Sequence, residues 1–434
     1  MSTKQPPVAD RRPYRHSYHG VELEDPYFWL QDPGYPQVED SYVLGYLNEE
    51  NDYFESWYEP HKTLTQTLFE ELKARKPEQD ESVPYDKNGY RYQWRFNAGD
   101  QYRVWLRQST IDTSNVWETL LNENSLAEGC EYFRLGALAV SPDGTKLAYS
   151  TDTNGSERFI LQVIEIASGN ALTTPIENCA GSVVWNADSD GFAYRLVNEN
   201  WRPDKALYRS LLGGDDALLY QEEDDAFFVG LGLSQSEQLM FITSGDHVTS
   251  EVRFVPRANL LAEQELIQGR REGHEYDVEH QGDSAETGRL IIRSNRNHPN
   301  FDLFETPMAS TEEASWQMLL PGNANHYLMG HVAFADALVV CLRINGLDQI
   351  KIVSGDDSHI IEFPEPAYSV DLGTNPNYRT STLRLAYTSM VTPHTVFDYD
   401  WQTKALTSLK VQEIPGGYEA SDYVSERLQV IARD

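Results

Sequence analysis

The chain has 434 residues, of which 68 are acidic and 35 basic, giving a formal net charge of −33. A single hydrophobic core stops growing at roughly 250–300 residues, so this length calls for several domains or one repeat array. The charge argues against nucleic acid or an anionic membrane as partner, since both need basic patches, and it favours encounter with short basic peptides.

The N-terminus, Met1 to Gly20, lacks the apolar run of a signal peptide, and no stretch of about 18 apolar residues offers a membrane span. Three cysteines, Cys130, Cys179 and Cys341, form no CxxC pair and are odd in number, which speaks against a disulfide framework or a zinc ribbon. A soluble protein in the reducing cytoplasm is expected.

Near the start, Asp25–Asp32 carries Tyr27, Phe28, Trp29 and Leu30 in a row, and such a run needs a covering surface, either a propeller or a further domain. From Val38 to Tyr58, Tyr42, Tyr46, Leu47, Phe54 and Trp57 recur at mostly helical spacing, and Leu64, Leu68 and Leu72 mark a second helix closed by Lys76 and Pro77. From Val83 onward the pattern changes to short β-rich runs broken by turn signals at Pro142–Gly144, Ser189–Gly191 and Gly213–Gly214. Inner-strand runs begin at Tyr90, Leu147, Phe192, Leu239, Leu290, Leu338 and Leu385. After the first, they recur every ~45–50 residues, the length of a four-stranded propeller blade. Packed sandwiches would supply short strands but not that period, so an all-β, seven-bladed propeller is expected. At the end, Leu428, Val430 and Ala432 alternate with Arg427, Gln429 and Arg433, the pattern of a half-buried strand over Ser425–Asp434.

Chemistry is sparse. There is no GxSxG elbow; Gly282–Ser284 is the nearest fragment, and its setting is that of a turn. The closest histidine pairs, His274 with His280 and His326 with His331, have no metal-ligand spacing, and no phosphate-cradling loop is present. The acidic run Glu222–Asp225 could hold a basic peptide side chain, but it suits a solvated turn between blades better. Thus no catalytic residue, no metal site and no cofactor is assigned, and substrate-binding residues are left unknown.

Several stretches resemble the prolyl oligopeptidase family of serine peptidases: His19–Asp32, Tyr46–Asn51, Asn88–Tyr92, Ser250–Arg253, Arg293–Arg296, Ser389–Asp400 and Glu413–Ala420. Together they are most similar to the oligopeptidase B branch, which cuts short peptides after Arg or Lys. The resemblance implies an N-terminal helical arm (1–78), a seven-bladed propeller (79–415), and a linker with the first strand of an α/β-hydrolase domain (416–434). It implies that the Ser/Asp/His triad belongs to a hydrolase domain after Asp434, and none of the family's catalytic positions has a counterpart here. The expected function is the gating portion of such a peptidase, inactive without its hydrolase domain or chain. The alternative is a stand-alone propeller that binds peptides or a protein.

Overall fold

The structure is a computed structural model and describes residues 5–35, 37–111 and 116–433. It forms two compact units, Met1–Pro77 with Ile414–Gly417, and Glu78–Glu413 with Tyr418–Asp434.

In the first unit, Arg15–Tyr18 and Val21–Glu24 form a hairpin whose turn, His19–Gly20, takes positive φ at both positions, as a tight two-residue turn requires. Helix α1 (Ser41–Tyr58) starts at Asp40, whose carboxylate accepts the backbone N–H of Tyr42 at 2.7 Å and of Val43 at 3.2 Å. Helix α2 (Lys62–Ala74) follows and ends before Pro77, which cannot continue a helix. Val43 is the only buried residue of α1, and α2 buries none. The run at Asp25–Asp32 finds part of its cover nearby in the chain. Tyr14 stacks on Phe28 at 3.8 Å, the Arg12 guanidinium lies 4.3 Å over Trp29, and Trp29 Nε1 donates to Asp10 O at 2.7 Å. With these contacts Phe28, Trp29 and Leu30 are half-buried and Tyr27 is exposed.

The second unit is a ring of antiparallel sheets. The first sheet has five strands (Asp80–Glu81, Tyr85–Lys87, Tyr90–Phe96, Val104–Ser109, Glu118–Asn122). The second has seven, from Arg134–Val140 to Ala217–Gln221, and the third to sixth have four each, starting at Phe228–Leu233, Tyr276–Gln281, His326–Ala333 and Ser369–Leu372. This corrects the expected count of seven blades: five sheets of single-blade size stand apart. The units at Leu147 and Phe192 have no separate sheets. The long strand Ile176–Trp185 joins them, because Cys179 pairs with Phe159 on one side and with Leu196 on the other. Positive φ at Asn178 and Gly181 bends this strand without breaking it.

Burial follows the pattern of alternating sheets packed face to face. In the strand Lys146–Asp152 six of seven residues are buried, and Leu147, Ala148, Leu239, Leu290 and Leu383 have no exposed surface. The preceding turn, Ser141–Gly144, needs its glycine. Gly144 has φ 72, and a Cβ there would lie 2.7 Å from the Tyr90 ring of the neighbouring sheet. The sixth sheet meets the first through side chains. Arg384 Nη1 donates to Pro84 O at 2.7 Å, Asn377 Nδ2 to Asp86 O at 2.9 Å, and Lys410 Nζ pairs with Asp80 at 2.5 Å.

The strand expected over Ser425–Asp434 is not formed among the described residues: Ala405–Val411 is the last strand, and Leu428, Val430 and Ile431 are exposed. Alternation selects a face but supplies no ladder, and without a hydrogen-bonding neighbour the segment remains irregular.

Candidate functional site

The loops that follow the first strands of the second, third, fourth and sixth sheets converge. A cavity of about 510 Å³ is lined there by residues of the first, second, third, fourth and sixth sheets, among them Lys87, Glu237, Arg257, Ser284, Tyr378 and Arg379. A space bounded by five sheets of a ring lies at its axis.

Polar contacts span this end of the axis. Glu237 receives Lys87 Nζ on one oxygen and Arg257 Nη1 on the other, each at 2.5 Å. Gln235 Nε2 donates to Asn375 O at 2.7 Å, and Arg379 pairs with Asp283. Burial pushes the Glu237 carboxyl up, but Lys87 and Arg257 together hold it below the ordinary glutamate value. Glu279 behaves in the opposite way. Burial pushes it up to about 7, with the charge of Asp277 adding to the rise, against the backbone N–H groups of His280 at 2.7 Å and Gln235 at 2.9 Å.

The structure places the expected candidates as follows. Gly282–Ser284 lies in the turn between Tyr276–Gln281 and Arg289–Ser294, and the Ser284 hydroxyl bonds to Thr287 Oγ1 at 3.0 Å. His280 is fully buried, and its Nε2 bonds to Thr287 O at 3.0 Å, which leaves Nδ1 to accept the Ser236 hydroxyl at 2.7 Å. This is a serine and histidine in contact, yet the far ring nitrogen meets a carbonyl and not a carboxylate, and the histidine ring is fully buried. His274 shows the reverse polarity. Arg271 can only donate, so Nδ1 accepts from it at 3.1 Å and Nε2 donates to buried Ser294 Oγ at 2.8 Å. A hydroxyl that receives the proton is not activated as a nucleophile.

His331 donates through Nε2 to Ile291 O at 3.0 Å and has Asp277 3.4 Å from Nδ1, while His359 lies 3.1 Å from Asp357 with Tyr399 on its other nitrogen. Neither of these has a serine. His326 bonds through its backbone to Asn323 O at 3.3 Å, and no metal-binding group of His, Cys, Asp or Glu occurs among the described residues. Burial pushes the thiols of Cys179 and Cys341 up, to about 12 and about 11, so neither is a thiolate at neutral pH.

Glu222, expected in a solvated turn, is instead buried, while Glu223–Asp225 are exposed. Its carboxylate receives Arg270 Nη2 at 2.6 Å, Ser244 Oγ at 2.5 Å and Tyr220 OH at 3.0 Å. Burial opposes ionisation, but these donors hold Glu222 down at about 2. The pairings of Glu237 with Lys87, Glu222 with Arg270 and His331 with Ile291 cross between strands or sheets, and linear spacing carries no signal for them.

A model of the prolyl oligopeptidase N-terminal beta-propeller domain matches residues 6–412. The chain belongs to this prolyl oligopeptidase propeller family. Its relatives include a dipeptidyl aminopeptidase BI from Pseudoxanthomonas mexicana, 32% identical over all of this chain and 61% of the relative, and a protease 2 from Moraxella lacunata, 30% identical over 98% of this chain and 61% of the relative. Among solved structures, oligopeptidase B from Leishmania major superposes with a TM-score of 0.88 at 25% identity, covering 98% of this chain and 63% of that one. Oligopeptidase B from Trypanosoma brucei gives 0.85 at 26% identity over 97% and 62%. The chain carries the N-terminal beta-propeller domain of this family, is similar to oligopeptidase B, and spans about 61% of the length of the first two relatives. No helix among the described residues is long and apolar enough to cross a membrane.

Proposed function

We propose that these 434 residues are the gating portion of an oligopeptidase B-like peptidase that cleaves short peptides after Arg or Lys in the cytoplasm, and that they do not cleave alone. The observation that carries this reading is the combination of span and chemistry. The chain matches oligopeptidase B structures over about 62% of their length, and among the described residues its serine–histidine contacts lack a carboxylate and its histidine–carboxylate contacts lack a serine. Acyl transfer by a triad needs all three in one place. The partner is an α/β-hydrolase domain or chain that supplies them. A ring with a cross-braced axis acts as a steric filter, and the charge of −33 draws basic peptides toward it.

The test is amide hydrolysis of a short peptide with Arg before a chromogenic leaving group. Purified chain is expected to give no turnover, and turnover to arise when a polypeptide equivalent to the remaining C-terminal part of a relative is added. Turnover by the chain alone overturns the reading. Tight binding of basic peptides, with no turnover in either case, favours a stand-alone binding module.

A further inference from the structure

Of residues 415–433, Ser425 alone is buried. Its hydroxyl donates to Glu365 Oε1 at 3.1 Å. Glu365 lies in the connection between the fifth and sixth sheets, and three more hydroxyls from the sixth sheet converge on it: Ser389 on Oε1, and Tyr387 and Thr392 on Oε2, each at 2.8 Å. Four O–H donors thus fill both oxygens of one carboxylate, and hydrogen bonds to an ionised acceptor are about twice as strong as neutral ones. Burial pushes the Glu365 carboxyl up, and the hydroxyls outweigh it and hold it below the ordinary value. A second fastening lies close by, since Tyr418 OH donates to Val391 O at 2.8 Å, in the same turn of the sixth sheet that holds Ser389 and Thr392. Beyond Ser425 the apolar side chains of Leu428, Val430 and Ile431 are free.

We propose that Glu365 is a positioning residue, a peg that straps residues 418–425 to the sixth sheet and sets the point from which 426–433 departs. Three of its four donors belong to the sheet and one to the tail, so the carboxylate joins two parts of the chain that share no strand ladder. That the departing segment is offered to a partner sheet rests on the reading above; the peg itself does not.

The experiment uses the full chain and trypsin, which must seat the residues around Arg427 in extended form to cut there, two residues past Ser425. Release of the C-terminal peptide is followed by mass spectrometry, with the cut after exposed Lys404 in the last hairpin of the sixth sheet as internal reference. Ser425→Ala removes the tail's bond and leaves the other three, and is expected to speed the cut after Arg427 about tenfold with the cut after Lys404 unchanged. Glu365→Gln, which weakens all four bonds, is expected to act in the same direction. A Ser425→Ala rate within twofold of the parent overturns the proposal, and so does an equal rise at Lys404, which would make Ser425 a support of the sheet and not a strap. Neither result depends on hydrolytic activity, so failure here is distinct from failure of the proposed function.

Discussion

The ring and the helical arm use the same device, a stripe of apolar residues, with opposite results. In the fourth sheet Leu290, Ile291 and Ile292 are completely covered, because each sheet lies between two neighbours and both of its faces are buried. In α2, Leu64, Leu68, Phe69 and Leu72 are each about half exposed, although their helical spacing is as regular as any strand alternation in the chain. Periodicity therefore states that a face wants a neighbour, and topology decides whether the neighbour is present.

The contrast is open to direct measurement. The largest effect is expected from Leu290→Ala, which leaves a cavity in a closed core and should lower unfolding free energy in urea by about 3–4 kcal/mol, whereas Leu68→Ala should cost under about 1 kcal/mol. If the two costs are equal, the arm is as well packed as the ring. Next, Arg270→Ala strands the buried Glu222 carboxylate and should cost about 3 kcal/mol at pH 7. Glu222 titrates at about 2 in the folded chain against an ordinary 4.5, so the stability it contributes is complete above 4.5 and is lost as pH falls toward 2. The difference between parent and Arg270→Ala should narrow over that window.

A smaller and opposite effect is expected at Glu279. Its folded value near 7 lies above 4.5, so its ionisation destabilises the folded state progressively from pH 4.5 to 7. Glu279→Gln should gain stability relative to the parent at pH 8 and gain none at pH 4, read as urea midpoints at the two pH values. The smallest change concerns association. Sedimentation should show concentration-dependent self-association that diminishes in the triple variant Leu64→Glu, Leu68→Glu, Leu72→Glu, with the far-ultraviolet spectrum of the ring unchanged. An unaltered sedimentation profile would mean that the exposed stripe is not what makes the chain associate.

How far the sequence could be read follows from the range of the forces involved. Turn chemistry at Ser141–Gly144, helix periodicity around Leu64–Leu72 and the β-rich run at Leu147 are local, and each marks an element the structure contains. The fusion of two repeat units at Cys179 was not legible, because the left-handed backbone at Asn178 and Gly181 that lets the strand bend and continue leaves no mark in the spacing of the repeats. Nor was the tail, where the alternation of Leu428 and Val430 states a preference that only a hydrogen-bonding partner can satisfy. At the candidate site the limit was sharper. Histidines 274, 280 and 331 were visible as residues, but which nitrogen accepts or donates depends on Arg271, Thr287 and Ile291, and those contacts arise only in the folded chain.

The join between the sixth and first sheets carries a mechanical meaning. No strand of one end is woven into the other; the ends are held by Arg384, Asn377 and Lys410, a clasp of three side chains on backbone oxygens and one carboxylate. Elsewhere around the circle the chain itself runs from one sheet to the next. Load applied across the ring would concentrate at this clasp, and among these links the ion pair between Lys410 and Asp80 is the one most open to weakening by added salt.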